Sequence, residues 1–154
     1  MTNRETPNDR GRRALALCGA GAFALLVAGC GGGNDGPCTT TSMETVQSQV
    51  FDGCSTSANG GCHAAAPFGA NLDLARGMAY GYLVHAPSNS SPGSWRVEPG
   101  DLKSSFLWRK LTDSLASDAS EGVPMPRDNA DEWAPLSQSQ LDAVRCWITS
   151  GANP

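Results

Sequence analysis

The sequence predicts an all-α domain of three to four short helices joined by long loops. Three observations lead there. Apolar residues recur at spacings of three and four in several short windows, as they do along a helix with one buried stripe. No stretch reads as a strand, and Gly 18 with Pro 10 cut the 154 residues into brief segments. That length is enough for one domain of ordinary size and too short for two.

The first segment reads as an address rather than as structure. Arg10, Arg12 and Arg13 form a positive cluster, and Ala14 to Ala28 is a run of small and aliphatic residues. That run falls short of the roughly 20 apolar residues a permanent membrane helix needs. It ends in Leu26-Val27-Ala28-Gly29-Cys30, which resembles the lipobox of bacterial lipoproteins. The resemblance implies a signal peptide over 1–29, removed in the mature protein, and a lipidated Cys30 as the new N-terminus. Two or more acyl chains anchor stably where one binds only marginally. The expectation is an exported chain on the periplasmic side, lipid-anchored, with the outer membrane preferred because Gly31 offers no inner-membrane retention signal. Arg12-Arg13 also hints at twin-arginine export.

Residues 30–40 are expected to be a flexible tether, with Gly31-Gly32-Gly33-Asn34-Asp35-Gly36-Pro37 at its heart. The domain then spans 41–154. From Cys30 onward there are 7 Lys and Arg against 13 Asp and Glu, a net charge of −6. An acidic chain lacks the basic face that nucleic-acid binding requires, and anionic lipid repels it, so its membrane link is the lipid alone. We expect a monomer.

A first helix is predicted over 42–51, capped by Thr41 or Ser42, with Met43, Val46 and Val50 on one stripe. Residues 52–71, rich in Gly, Asn, Ser and Pro, are expected to form a loop. The stretch 72–84 reads as helical in its second half, with Met78, Ala79, Tyr82 and Leu83 inward, although Gly77 and Gly81 each weaken it by about 1 kcal/mol relative to Ala. A polar loop over 86–100 closes on Pro99-Gly100. Asp101 is expected to cap a helix over 102–111 that buries Leu102, Phe106, Leu107 and Leu111. Residues 112–136, with Gly122, Pro124, Pro126 and Pro135, form a long loop, and loops of this length in a small domain are usually functional or disordered. The last helix has the sharpest signal: Ser137-x-x-Gln140 is a capping box, Leu141, Val144 and Ile148 share a face, and Ser150-Gly151 ends it.

Four cysteines remain once Cys18 leaves with the signal and Cys30 is lipidated: Cys38, Cys54, Cys62 and Cys146. Outside the cytoplasm thiols usually have covalent partners, and four cysteines allow three pairings. Two features carry the chemistry: Cys54-x7-Cys62-His63, and Met125 within Gly122-Val123-Pro124-Met125-Pro126.

With these in view the chain resembles the c-type cytochromes, and more closely the cytochrome-c-like modules of exported bacterial proteins. The motifs come in the same order: Cys62-His63 after a first helix, Leu72-Asp73-Leu74, a Val-x-Pro-Gly-Asp turn at 97–101, Ser105-Phe106-Leu107, the Met125-Pro126 loop, and Trp147-Ile148 leading to Gly151-Ala152. The resemblance covers about 42–152. It implies a cytochrome-c-like fold and a single haem c, with Cys54 and Cys62 as its thioethers and His63 and Met125 as the axial iron ligands. It also implies electron exchange with redox partner proteins. Adjacent Cys and His are what covalent haem attachment needs, and a Met thioether raises the reduction potential relative to a second His. The chain departs from the family at one place: seven residues separate the two cysteines where the family has two. The longer loop costs only about 1 kcal/mol of extra closure entropy. First and last helices cross in such folds, so the resemblance also implies a Cys38–Cys146 disulfide.

Blander readings stand beside these. Cys54 and Cys62 could simply pair with each other, a bridge worth about 2–3 kcal/mol; His63 could be a surface loop residue and Met125 a core gap filler. His85 is a rival distal ligand, and Trp108 or Trp133 a candidate pocket wall. A zinc site is disfavoured, since the chain has two histidines and no second Cys pair at zinc spacing. No Ser-His-Asp pattern, phosphate loop or carboxylate pair points to catalysis. The expectation is an electron carrier, not an enzyme; the alternative is a haem-free, disulfide-stapled cytochrome-like lipoprotein with a binding or structural role.

Overall fold

The computed structural model describes residues 37–55, 62–64, 71–128 and 130–154, all within one compact unit. The signal peptide, the lipobox Cys30 and most of the tether lie outside the described residues, as does most of the loop between Cys54 and Cys62. No helix among the described residues is long and apolar enough to cross a membrane.

The first helix starts where its sequence says. Ser42 Oγ accepts the Thr45 N–H at 3.3 Å. It runs through α1 (Met43–Val46), a π-helical turn (Gln47–Phe51) and α2 (Asp52–Ser55). The expected helix of 42–51 is therefore corrected to one that continues through Ser55, with Cys54 in its last turn. Hydrogen bonds override the loop-like composition that begins at residue 52. The buried Gln47 amide donates to Asp52 Oδ1 and to the Leu74 carbonyl, both at 2.9 Å, and Arg76 bridges Glu44 and Asp52.

Helix α3 (Ala79–Leu83) is a bare turn and a half, flanked by Gly77 at φ +79°. Ala79 and Leu83 point inward as expected, but Met78 is 47% exposed and Tyr82 is only half-buried, because so short a helix presents one narrow stripe. Helix α4 is Phe106–Leu111, four residues shorter than expected. Asp101 does cap, but it caps the preceding turn, accepting the Lys103 and Ser104 N–H groups at 2.9 and 3.1 Å. Ser105, fully buried, then donates to the Asp101 carbonyl at 2.7 Å and redirects the chain into the helix.

Helix α5 (Gln138–Thr149) forms as read. Ser137 Oγ accepts the Gln140 N–H and the Gln140 side chain accepts the Ser137 N–H, so both halves of the capping box are made. Its face of Val144, Trp147 and Ile148 is fully buried against Val46, Phe51, Leu83 and Val97. Helix α1 packs on α5, and the Cys38–Cys146 disulfide ties the two ends of the described chain with Cα atoms 5.0 Å apart. Among the described residues there is no β-strand, only isolated bridges such as Val84 with Val97. The domain is all-α with long loops.

Candidate functional site

The helix end that carries Cys54 is where the site begins. The Cys54 carbonyl, an orphan at a helix C-terminus, accepts the His63 N–H at 3.2 Å. The His63 carbonyl in turn accepts the Leu74 N–H at 2.8 Å. Two backbone bonds thus seat His63 between the end of α2 and the Leu72-Asp73-Leu74 segment. Its Nδ1 is shielded from solvent.

Met125 comes from the other side. In the 112–136 loop, its N–H donates to the Lys110 carbonyl at 2.8 Å, and its carbonyl accepts Trp133 Nε1 at 3.2 Å. The Met125–Pro126 peptide is cis. The loop is folded back on itself, with Asp128 N–H to the Glu132 carbonyl at 2.9 Å and Ala134 N–H to the Pro126 carbonyl at 3.0 Å.

Cys54, Cys62, His63 and Met125 all line one cavity of about 260 Å³. Its remaining wall is mostly apolar, with Phe51, Leu72, Leu83, Phe106, Leu107 and Leu136 prominent. Four side chains spread over more than seventy positions of sequence therefore converge on a single space. Cys54 and Cys62 are not bonded to each other. The Cys54 thiol donates to the Val50 carbonyl at 3.6 Å. Burial, with a smaller contribution from the nearby Cys62 sulfur, pushes it up to about 11, so it stays protonated at neutral pH. Cys62 is exposed. Among the described residues no three His, Cys, Asp or Glu side chains converge closely enough to share a bare ion. The donors surround a volume rather than a point.

The other sequence candidates lie elsewhere. His85 is exposed, at φ +50°, with Nε2 3.7 Å from a Glu98 carboxylate oxygen and its ring edge-on to Trp95; it does not line the cavity. Neither Trp108 nor Trp133 walls it. Trp133 instead props the Met125 backbone, and Trp108 packs on the core. Cys38 and Cys146 are joined, away from the cavity.

Three charged residues of the lining carry no sequence signal: Arg96, Lys110 and Arg127. Arg96 is 9% exposed and donates to the Tyr82 and Asn71 carbonyls at 2.9 and 3.3 Å. Burial draws its pKa below the usual arginine value. Lys110 Nζ donates to the Glu121 and Val123 carbonyls at 2.7 and 2.8 Å. Burial holds its pKa below the ordinary lysine value despite the Glu121 charge. Nothing in the sequence marked them, since a charged residue read alone is a solvated one.

No protein-family model, curated protein or solved structure matches this chain.

Proposed function

We propose that this protein is a membrane-tethered, single-haem c-type cytochrome with a cytochrome-c-like fold, carrying electrons outside the cytoplasm. The observation that carries the reading is the shared cavity: two unjoined thiols, an imidazole and a thioether face one largely apolar space. The donor chemistry fits haem c. Cys54 and Cys62 would hold it through thioethers, and His63 and Met125 would bind its iron. When bound, the group supplies a one-electron iron couple; the protein tunes it through ligand identity, hydrogen bonding and burial.

The chain's own residues prepare that role. The backbone bonds at His63 hold the main chain from which its imidazole projects, and Lys110 and Trp133 hold the two sides of the Met125 peptide. Phe51, Leu83 and Phe106 line the space with apolar surface, which lowers the local dielectric. Cys30 would carry the lipid, with the tether leaving the domain free to meet redox partner proteins.

The test is the absorption spectrum of the purified, reduced protein. The reading expects a haem-c band pattern that survives acid–acetone extraction, a large loss of haem in His63→Ala, and a shifted potential with retained haem in Met125→Leu. A colourless protein would overturn it and leave the haem-free, disulfide-stapled lipoprotein.

A further inference from the structure

Two loops far apart in sequence supply parts of the cavity lining. Ser88, Asn89 and Ser90 come from the 86–100 loop, and Met125, Pro126 and Arg127 from the 112–136 loop. One carboxylate that is not itself in the lining joins them. Glu121 is buried, and Ser91 Oγ of the first loop donates to its Oε1 at 2.7 Å. Arg109 Nη1 lies 2.6 Å from the same oxygen, and Arg109 Nη2 donates to Ser91 Oγ at 3.2 Å. Arg109 therefore holds both partners of the cross-loop bond.

Each loop carries that bond on to the cavity. In the first, the Ser91 N–H donates to Ser88 Oγ at 3.1 Å and the Ser88 N–H to the Ser94 carbonyl at 2.9 Å. In the second, Lys110 Nζ donates to the Glu121 and Val123 carbonyls, and the Lys110 carbonyl accepts the Met125 N–H. A buried carboxylate stripped of a donor is a poorly solvated charge, and that is costly. If the 88–94 turn moves away, Glu121 loses Ser91; if the Met125 limb moves away, it takes the carboxylate from Ser91 and Arg109. Both movements break the same bonds, so the network favours all or none. Arg109 Nε is buried with no acceptor among the described residues, a standing cost that opening relieves.

We infer that Glu121 is a latch coupling the two loops, so that the 88–94 turn and the 116–125 limb close on the cavity and open from it as one unit. Entry past either loop then requires both to move. The inference goes beyond the haem reading and does not need it, because no bond of the latch involves Cys54, Cys62, His63 or the Met125 sulfur.

Amide hydrogen exchange of the full chain, resolved to single residues, tests it with Ser91→Ala, which removes the turn's hydroxyl and leaves Arg109, Lys110 and Glu121 in place. In wild type the Ser94 and Met125 amides, corrected for intrinsic rate, are expected to exchange at least about tenfold faster than that of Ile148 in the core of α5, which waits for the whole domain to unfold. In Ser91→Ala the Ser94 and Met125 amides should speed up by the same factor, about tenfold, although Met125 bonds to Lys110 and not to the altered side chain. A change confined to one of the two amides means that the loops open separately, and it overturns the latch. No change at either overturns it too. So does a wild-type Met125 amide as slow as that of Ile148, since the limb then has no opening of its own. None of these outcomes decides whether haem is attached, which the absorption spectrum tests separately.

Discussion

Glu121 is 7% exposed, and its carboxylate gathers donors from three directions: Ser91 Oγ at 2.7 Å, the Ala116 N–H at 2.9 Å and Arg109. Burial pushes its pKa up, but these hydrogen bonds and the Arg109 charge outweigh it and hold it below the ordinary glutamate value. A depressed carboxylate stabilises the fold above its unfolded pKa, and that stability fades as pH falls through the folded value. Glu121→Gln is expected to lower stability by about 2–3 kcal/mol, because it strips the ion pair from a half-buried Arg109. Urea unfolding at neutral pH measures it. Cys54 has the opposite sign. Its thiol is raised from 9.0 to about 11, so in haem-free protein the unfolded chain loses this proton first. Stability contributed by the protonated thiol is intact below about pH 9 and is lost as pH rises towards 11, by about 2 kcal/mol after allowing for partial exposure. Cys54→Ala should flatten that alkaline slope in pH-dependent urea titrations.

At the scale of elements, legibility followed how local the cause was. Helix α5 could be read because its start is written within four residues: Ser137 and Gln140 cap each other. Ser137→Ala is expected to cost about 1 kcal/mol by thermal unfolding, the usual worth of an N-cap. The sequence pattern ends the first helix four residues early because what extends it is distant. Gln47 reaches Leu74, and Arg76 reaches Asp52; neither contact has a periodic signature. The π-helical turn at Gln47–Phe51, of a kind that recurs at functional sites, gave no signal at all. The same holds at the cavity. Cys54, Cys62, His63 and Met125 were legible as chemistry because their residue types are rare and their motif order is informative. Lys110 and Arg96 were not, because only packing turns a surface charge into a lining one.

For the whole molecule, the Cys38–Cys146 bridge spans 108 positions and closes nearly all of the described chain. Chain-entropy reasoning gives such a loop up to about 5 kcal/mol, and measured values run from about 2 to 5. The double substitution Cys38→Ser with Cys146→Ser should cost within that range, read from urea unfolding with a steeper slope, because the chain without its bridge expands further when unfolded. The site sits at the far ends of two separately anchored segments, α2 with His63 and the Met125 loop. The bridge is outside the cavity, so its loss should weaken the fold before it alters the site.

The central claim is that both thiols are attached to one haem. Mass analysis of the peptide spanning Cys54 to His63, taken from protein purified from the exporting cell and extracted with acid–acetone, tests it most directly. If both thiols hold one haem, that peptide carries one porphyrin mass and no alkylatable thiol. A peptide of unmodified mass, with Cys54 and Cys62 free or joined to each other, would contradict it.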